Sequence, residues 1–438
     1  MHSSEDIPVN SSSRLHYSNS NQRWTRLLDW NIVNRGGVRR GRSVTAEKPL
    51  NRRKAVPVIF LQGSHYDVGF DMGRTFASII KSFIASYQNL RDFEKEYKTD
   101  VGRDAYDKTL ANMKQRYPYY VKEMQGIADG AQVPFYQLFL LQMDDLIGTI
   151  NDNHIPRNDT GGCSSLAIKT EDNPVHTGFI LGHTEDAFGE TLNHFYIASV
   201  HITPTPEDAA AGATEERFAS LCYAGHLPGY TMGYNNNGLV FSINTLSPMI
   251  LKPGNTPRTF ITRALLTAKN MPDAERILKD EGLGIGNGFS VNMIWTDEKC
   301  QRQIYNVEVA PDLNSDKSML NIHNFDKEPL IHTNKYLRLP LKEVIGPIID
   351  SSNARLETIH SHPVPKSDSD IKKILSDTEN KEFQVFQEKT DSIIKTIAAG
   401  LFDLNKMTWS IYINKPSISE PVAVLPIHFS NLKTCGSC

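Results

Sequence analysis

The apolar residues of this chain change their period near Thr160, and that switch limits the folds open to it. Before it, Val68, Met72, Phe76, Ile79, Ile80, Phe83 and Tyr87 recur at three- and four-residue steps, the spacing of one helix face. Shorter amphipathic runs continue to about residue 148, with Pro118 and Pro134 where helices start or break. After the switch come short apolar runs of strand length, at 165–168, 178–181, 195–202, 218–223, 239–243, 289–295, 304–309 and 330–332, with two more at 393–402 and 409–414. Asn236-Asn237-Gly238 reads as a tight hairpin turn, because Asn and Gly tolerate positive φ. A helical pair interrupts the strands, with Phe260, Ala264, Leu265 and Ala268 on one stripe and a second start at Pro272. A polar insertion at about 345–390 holds two short helical runs on either side of the loop 360–370. Strands broken by one helical pair, with further helices outside them, predict a layered α+β domain rather than a doubly wound one.

With 438 residues, 39 % of them hydrophobic, the chain can bury a full core without covalent staples. No run of 18 or more uncharged apolar residues occurs and the mean hydropathy is −0.39, which excludes a membrane-spanning helix. The opening Met1-His2-Ser3-Ser4-Glu5-Asp6 lacks the basic and apolar regions of a secretory signal. Cys163, Cys222, Cys300, Cys435 and Cys438 are too scattered for a disulfide framework and lack the paired spacing of a zinc site, which reads as a reducing, cytoplasmic compartment. Charge is uneven: residues 1–55 carry eleven Lys or Arg against four Asp or Glu, a balance of +7, so the rest must carry −10 to reach the total of −3. That basic head is rich in Ser, Asn and Arg and poor in apolar groups, the composition of a disordered extension without chemistry of its own. Glu5, Asp6, Asp29 and Glu47 break the acid-poor pattern of a transit peptide, and neither a nucleic acid nor a membrane is expected as a partner.

Chemistry concentrates where the helical half meets the first strand, at Gly161-Gly162-Cys163-Ser164-Ser165. Two glycines give the backbone the freedom to present a carbonyl to the thiol that follows. Attack of the Cys163 thiolate on the Gly162 carbonyl turns the peptide into a thioester, and water then releases Cys163 as a new amino terminus. A thiol titrates near ~8.5 and a free α-amine near ~7.7–8.0, so that amine serves as a local base at neutral pH without a histidine.

Gly162-Cys163-Ser164-Ser165, Gly182-His183-Thr184-Glu185-Asp186 and His332-Thr333-Asn334 resemble, in order and spacing, the N-terminal nucleophile hydrolases of the acyl-coenzyme A:6-aminopenicillanate acyltransferase type, over about residues 57–421. Within that family His183-Thr184-Glu185-Asp186-Ala187, Thr191-Leu192-Asn193-His194 and the stretches 221–232 and 238–245 are similar to members that hydrolyse β-alanyl amides of dopamine and histamine. The resemblance implies a four-layer αββα fold, a precursor cut before the cysteine, and an active heterodimer of residues 1–162 and 163–438. The chain then divides into the extension 1–55, a helical fragment 56–162 and a sheet-rich fragment 163–438 that forms one domain with it. It also implies that Cys163 is the nucleophile and its freed α-amine the base, that Asp186 supports the cleavage geometry or orients the amine, and that Asn334 donates to the oxyanion. An amide so aimed in a dry site is worth roughly 3 kcal/mol. No cofactor is expected and no metal, since His183, His194 and His226 lack the short helical spacing of zinc ligands.

One departure bears on the substrate. The acyltransferase relatives carry an arginine in a late strand where this chain has Asp391-Ser392-Ile393-Ile394-Lys395-Thr396, with Lys395 the nearest cation. Its loss argues against a carboxylate-bearing substrate. A β-alanyl group presents an ammonium instead, for which a carboxylate is the natural partner, and Glu185, Asp186 and Glu190 are the candidates. Tyr230, with Tyr223, His226 and Tyr234, lies in an aromatic stretch suited to a catechol or imidazole ring. Cys435-Gly436-Ser437-Cys438 reads as a flexible tail. An acyltransferase using a thioester donor, and an uncut binding or scaffold protein, remain as competing functions.

Overall fold

The computed structural model describes residues 51–147, 162–173 and 176–430; Gly161, nearly all of the basic extension and the tail cysteines lie outside them. Strand β1 (Val58–Gly63) leads into α1 (His65–Thr75), α2 (Ala77–Ser86), α3 (Gln88–Tyr97), α4 (Asp100–Arg116), α5 (Pro118–Ala131), α6 (Phe135–Gln142) and the short α7 (Asp144–Ile147). Ser64 starts α1 with a capping box closed by Asp67, and Thr99 caps α4. Pro118 opens α5 at a position whose N–H has no helical partner. Helices α1 and α5 meet at backbone contact: a Cβ at Gly69 would lie 2.0 Å from the Glu123 carbonyl oxygen, and one at Gly126 2.3 Å from that of Tyr66. Only glycine permits this approach.

The sheet half follows as expected in outline. It comprises β2 (Ser164–Asn173), β3 (His176–Phe188), β4 (Phe195–Ile202), β5 (Glu216–Tyr223), β6 (Met232–Asn235), β7 (Leu239–Leu246), β8 (Gly288–Thr296), β9 (Arg302–Pro311), β10 (Ser318–Phe325), β11 (Leu330–His332), β12 (Ile394–Asp403), β13 (Thr408–Tyr412) and β14 (Ala423–Pro426). Helix α8 (Pro206–Ala210) follows β4, α9 (Arg258–Leu265) and α10 (Met271–Lys279) form the expected interruption, and α11 (Pro347–Ser361) and α12 (Asp368–Ile374) form the polar insertion. Gly238 sits at φ +109° in the turn between β6 and β7. Eight strands form one sheet in the order β1-β4-β5-β6-β7-β8-β9-β10, and six form another in the order β11-β2-β3-β12-β13-β14.

Three apolar seams hold these elements. The first packs Val68, Met72, Ile80, Phe139 and Phe260 of the helices against Tyr196, Phe241, Val291 and Val307 of the eight-stranded sheet. The second joins the two sheets through Leu181, Ile397 and Trp409 on one side and Ile197, Leu221 and Val240 on the other. The third sets Leu166, Ile180 and Leu401 of the six-stranded sheet against Ile359 of α11 and Ile371 and Ile374 of α12. Among the described residues no helix is long and apolar enough to cross a membrane.

One detail departs from the sequence reading: residues 51–55, read as part of the extension, are tied to the folded chain, where Arg53 N–H donates to Asn193 Oδ1 at 2.9 Å and Asn193 Nδ2 donates to the Asn51 carbonyl at 2.7 Å. Cys163 and Cys222 are free and buried.

Candidate active site

Strand β2 lies between β11 and β3 in the six-stranded sheet, so residues at its start meet side chains from both neighbours. Cys163 immediately precedes β2, and the register pairs Ser165 with His183 on β3 and with His332 on β11. Asn334 therefore follows β11 close to the start of β2. Along β3, alternation puts His183 and Glu185 on one face and Asp186 on the other. Strand β12 pairs with β3 through Asp186 and Thr396, and its register shifts between Thr396 and Ala398, an irregularity of the kind that re-aims side chains beside active sites.

The Cys163 thiol donates to Glu185 Oε2 at 3.5 Å, and the same oxygen lies 2.9 Å from His183 Nε2. The other Glu185 oxygen accepts from the Tyr223 hydroxyl in a short hydrogen bond. His183 Nδ1 meets Ser165 Oγ at 2.8 Å, and that hydroxyl donates to Asn244 Oδ1 at 2.9 Å. Asn244 Nδ2 donates to the Cys163 carbonyl at 2.8 Å. The polar column continues between the sheets, with Asn292 Nδ2 on Asn244 Oδ1 at 2.6 Å and Asn306 Nδ2 on Asn292 Oδ1 at 2.9 Å. Cys163, His183, Glu185, Asp186, Tyr223, Asn334 and Arg355 are all buried.

Arg355 of α11 is the residue that sequence reasoning missed. Its Nη1 donates to the Cys163 carbonyl at 2.8 Å and to Ser164 Oγ at 2.9 Å, and its Nη2 to Asn334 Oδ1 at 2.8 Å. The segment reads as a polar insertion, but Ser352, Arg355 and Ile359 recur at helical spacing and all three are buried, a stripe that could have exposed it. Asn334 Nδ2 donates to the Thr245 carbonyl at 3.0 Å, so its carboxamide is oriented from both ends. The structure gives the glycine at 162 a steric reason: a Cβ there would fall 2.1 Å from Asn334 Oδ1 and 2.4 Å from Arg355 Nη2.

Electrostatics here is strained. Burial, and then the charges of Glu185 and Asp186, push the Cys163 thiol well above its ordinary range, against a hydrogen bond from the Asp186 backbone and the charge of Arg355. Burial pushes the Asp186 carboxyl up to about 8, only partly countered by Arg355 and by Thr396, whose hydroxyl donates to Oδ1 at 2.5 Å. Its other oxygen, Oδ2, is buried and has no hydrogen-bond partner among the described residues. Cys163, His183 and Glu185 are also the one trio of metal-type donors among the described residues, within 4.8 Å of one another. Those atoms are engaged with each other.

Of the three carboxylates named from sequence, Glu185 thus reaches the nucleophile, and Asp186 acts on it through its charge and its backbone N–H. Glu190 does not join this network; it lies in the 3-10 turn Gly189–Asn193, where its carbonyl meets His194 Nδ1. Lys395 gives its ammonium to the carbonyls of Lys389 and Ser392 and supplies no substitute for the missing arginine. Tyr230 stands one ring away from the site: its centroid is 4.9 Å from that of Tyr223, and its hydroxyl donates to Asp144 Oδ2 at 2.8 Å. A surface cleft of about 900 Å³ lined by Arg116, Glu216, Asp273 and Asp280 includes none of these residues.

Comparisons with known proteins agree with the resemblance. The family model of acyl-coenzyme A:6-aminopenicillanic acid acyl-transferase matches residues 170–417. The β-alanyl-dopamine/carcinine hydrolase of Drosophila melanogaster is 42 % identical over 397 residues, covering 88 % of this chain and 99 % of that protein. A relation that covers 88 % of this chain and 99 % of that protein, together with a family match over residues 170–417, places this chain in the acyl-coenzyme A:6-aminopenicillanic acid acyl-transferase family.

Proposed function

We propose that this protein is a self-processing cysteine amidohydrolase that cleaves β-alanyl conjugates of biogenic amines, releasing β-alanine and an amine such as dopamine or histamine. The observation that carries the reading is the placement of Cys163, whose thiol donates to Glu185 while its carbonyl is held by both Asn244 and Arg355. The activity of the Drosophila relative supports the substrate class.

In the proposed sequence, Sγ attacks the Gly162 carbonyl, the peptide shifts from nitrogen to sulfur, and water hydrolyses the thioester. Residues 1–162 and 163–438 remain together as a heterodimer, a pairing supported by β1, which belongs to the first fragment yet runs parallel to β4 of the second. The freed α-amine then deprotonates Sγ for attack on the substrate amide. The unpartnered Asp186 Oδ2 is available to orient the new ammonium, and Asn334 stabilises the oxyanion. The amine leaves with the proton, and water releases β-alanine from the acyl-enzyme. Glu185 accepts the β-alanyl ammonium, with Tyr223 and Tyr230 on the amine side. The three apolar seams support a four-layer αββα stacking.

Incubation of the protein with β-alanyl-dopamine and with carcinine tests this reading, with free dopamine and histamine as the signal. Turnover that disappears in Cys163→Ala supports it. Amide formation from acyl-coenzyme A without net hydrolysis would instead make the chain an acyltransferase, and no turnover of either kind would leave a binding protein.

A further inference from the structure

Before the bond between Gly162 and Cys163 is cut, the Cys163 nitrogen is an amide and has no basicity to offer. The thiol must lose its proton to another group. Asp186 keeps its own proton up to about pH 8 and so cannot take a second at neutral pH. Arg355 carries only donors. Among the described residues, the remaining groups at the thiol are Glu185 and, behind it, His183 and Tyr223.

Hydrogen-bond bookkeeping locates the protons in that group. Asn244 gives its Nδ2 to the Cys163 carbonyl, which turns its Oδ1 toward Ser165 and Asn292. Ser165 Oγ also meets Ser242 Oγ at 3.0 Å, but Asn244 Oδ1 can only accept, so Ser165 gives its single proton there, Ser242 donates to Oγ, and Oγ accepts from His183, whose Nδ1 carries hydrogen. The 2.9 Å contact between His183 Nε2 and Glu185 Oε2 then needs a second proton between them. Tyr223 donates to the other Glu185 oxygen and favours the carboxylate. The pair is an imidazolium and a carboxylate, with Oε2 turned toward the thiol.

We propose that Glu185 is the general base of self-cleavage, seated by His183 and Tyr223 as positioning residues. This rests on the reading of Cys163 as the self-cleaving nucleophile. Oε2 takes the thiol proton as sulfur bonds to the Gly162 carbonyl carbon. The proton passes to the Cys163 nitrogen as the carbon–nitrogen bond breaks, leaving a thioester and a free amine. From then on the amine is the base for external substrates, and Glu185 is released to meet the substrate ammonium. One carboxylate therefore serves two successive roles.

The test follows self-cleavage of the newly synthesised full-length chain by denaturing mass measurement between pH 7 and pH 9. The wild type is expected to cleave at a rate nearly independent of pH. Glu185→Gln is expected to be slower by ~10²–10⁴-fold at pH 7, the range of general-base contributions. Its rate should climb about tenfold per pH unit, because hydroxide must now form the thiolate; a merely structural role would not create that slope. Glu185→Gln cleaving at the wild-type rate, or slowed with a flat profile, would overturn the assignment. If Glu185→Gln fails to unfold cooperatively, His183→Gln decides: slowed cleavage with a rising profile supports the relay, and wild-type behaviour overturns it. A wild type that never cleaves sinks the nucleophile reading itself, an outcome distinct from the failure of Glu185 as base.

Discussion

Where α1 and α5 meet β5, Glu123 accepts from Arg263 Nε at 3.1 Å and Nη2 at 2.8 Å and lies 2.9 Å from His65 Nδ1, all without exposure to water. Beside β2, Asp186 is also buried and also has a buried arginine near it. Burial raises both carboxyls, yet Arg263 and His65 bring Glu123 down to about 2 while Asp186 stays at about 8. The difference lies in what each arginine touches. Arg263 is spent on the carboxylates of Glu123 and Glu216, whereas Arg355 is spent on the Cys163 carbonyl, the Ser164 hydroxyl and the Asn334 carboxamide. Charge pairing at the first cluster ties helices to sheet. At Asp186 it is withheld, and one carboxyl oxygen has no hydrogen-bond partner among the described residues. Buried groups left unpaired cost stability and are kept where chemistry uses them.

Breaking the first cluster should have the largest effect. Arg263→Leu leaves Glu123 and Glu216 buried without their cation, and the loss is expected to be about 3–5 kcal/mol in denaturant unfolding of the uncut Cys163→Ala protein. A loss below about 1 kcal/mol would mean that the pairing contributes little here. The second cluster is expected to respond to pH. Folding raises Asp186 from 3.8 to about 8, so the native state holds a proton that the unfolded chain has released. Stability should therefore fall as pH rises from about 4 and level off beyond about 8, by up to about 1.4 kcal/mol per pH unit inside that window. Asp186→Asn in the Cys163→Ala background should remove that part of the slope; an unchanged slope would show that Asp186 is not the group responsible. The smallest effect is expected at Glu190, which lies outside both clusters. Glu190→Gln should leave the Michaelis constant for a β-alanyl amide within about twofold, while Glu185→Gln, matured to completion at high pH, should raise it at least tenfold, on the scale of a lost charge-assisted contact. Equal constants for both variants would remove Glu185 from the substrate pocket.

Much of this arrangement was legible in the residues. Strands at 195–202, 239–243 and 289–295 carry apolar runs buried on both faces, and the periods of the helical half survive folding because its stripes pack on a sheet. Strands β1, β10 and β14 escaped; they lie at sheet edges, where Phe60, Ile322 and Val424 are exposed and no second buried face marks the run. Strand β6 is only four residues long. Cys163, Asp186 and Asn334 were reached through motifs, and Glu185 through its charge. Arg355 was not, because its partner Cys163 is 192 residues away in sequence and a buried arginine on a polar helix looks like a solvated one. Likewise the Ser165, Asn244 and Asn292 column exists only after β2, β7 and β8 are brought together.

The central claim is that the chain cuts itself before Cys163, and the intact mass of the wild type beside Cys163→Ala, both denatured, tests it most directly. The account predicts that the wild type is divided between Gly162 and Cys163 into fragments of roughly 18 and 31 kDa on average residue masses, and that the variant stays whole. A folded wild type that remains at 49.2 kDa would contradict it, since the α-amine on which turnover depends would never form.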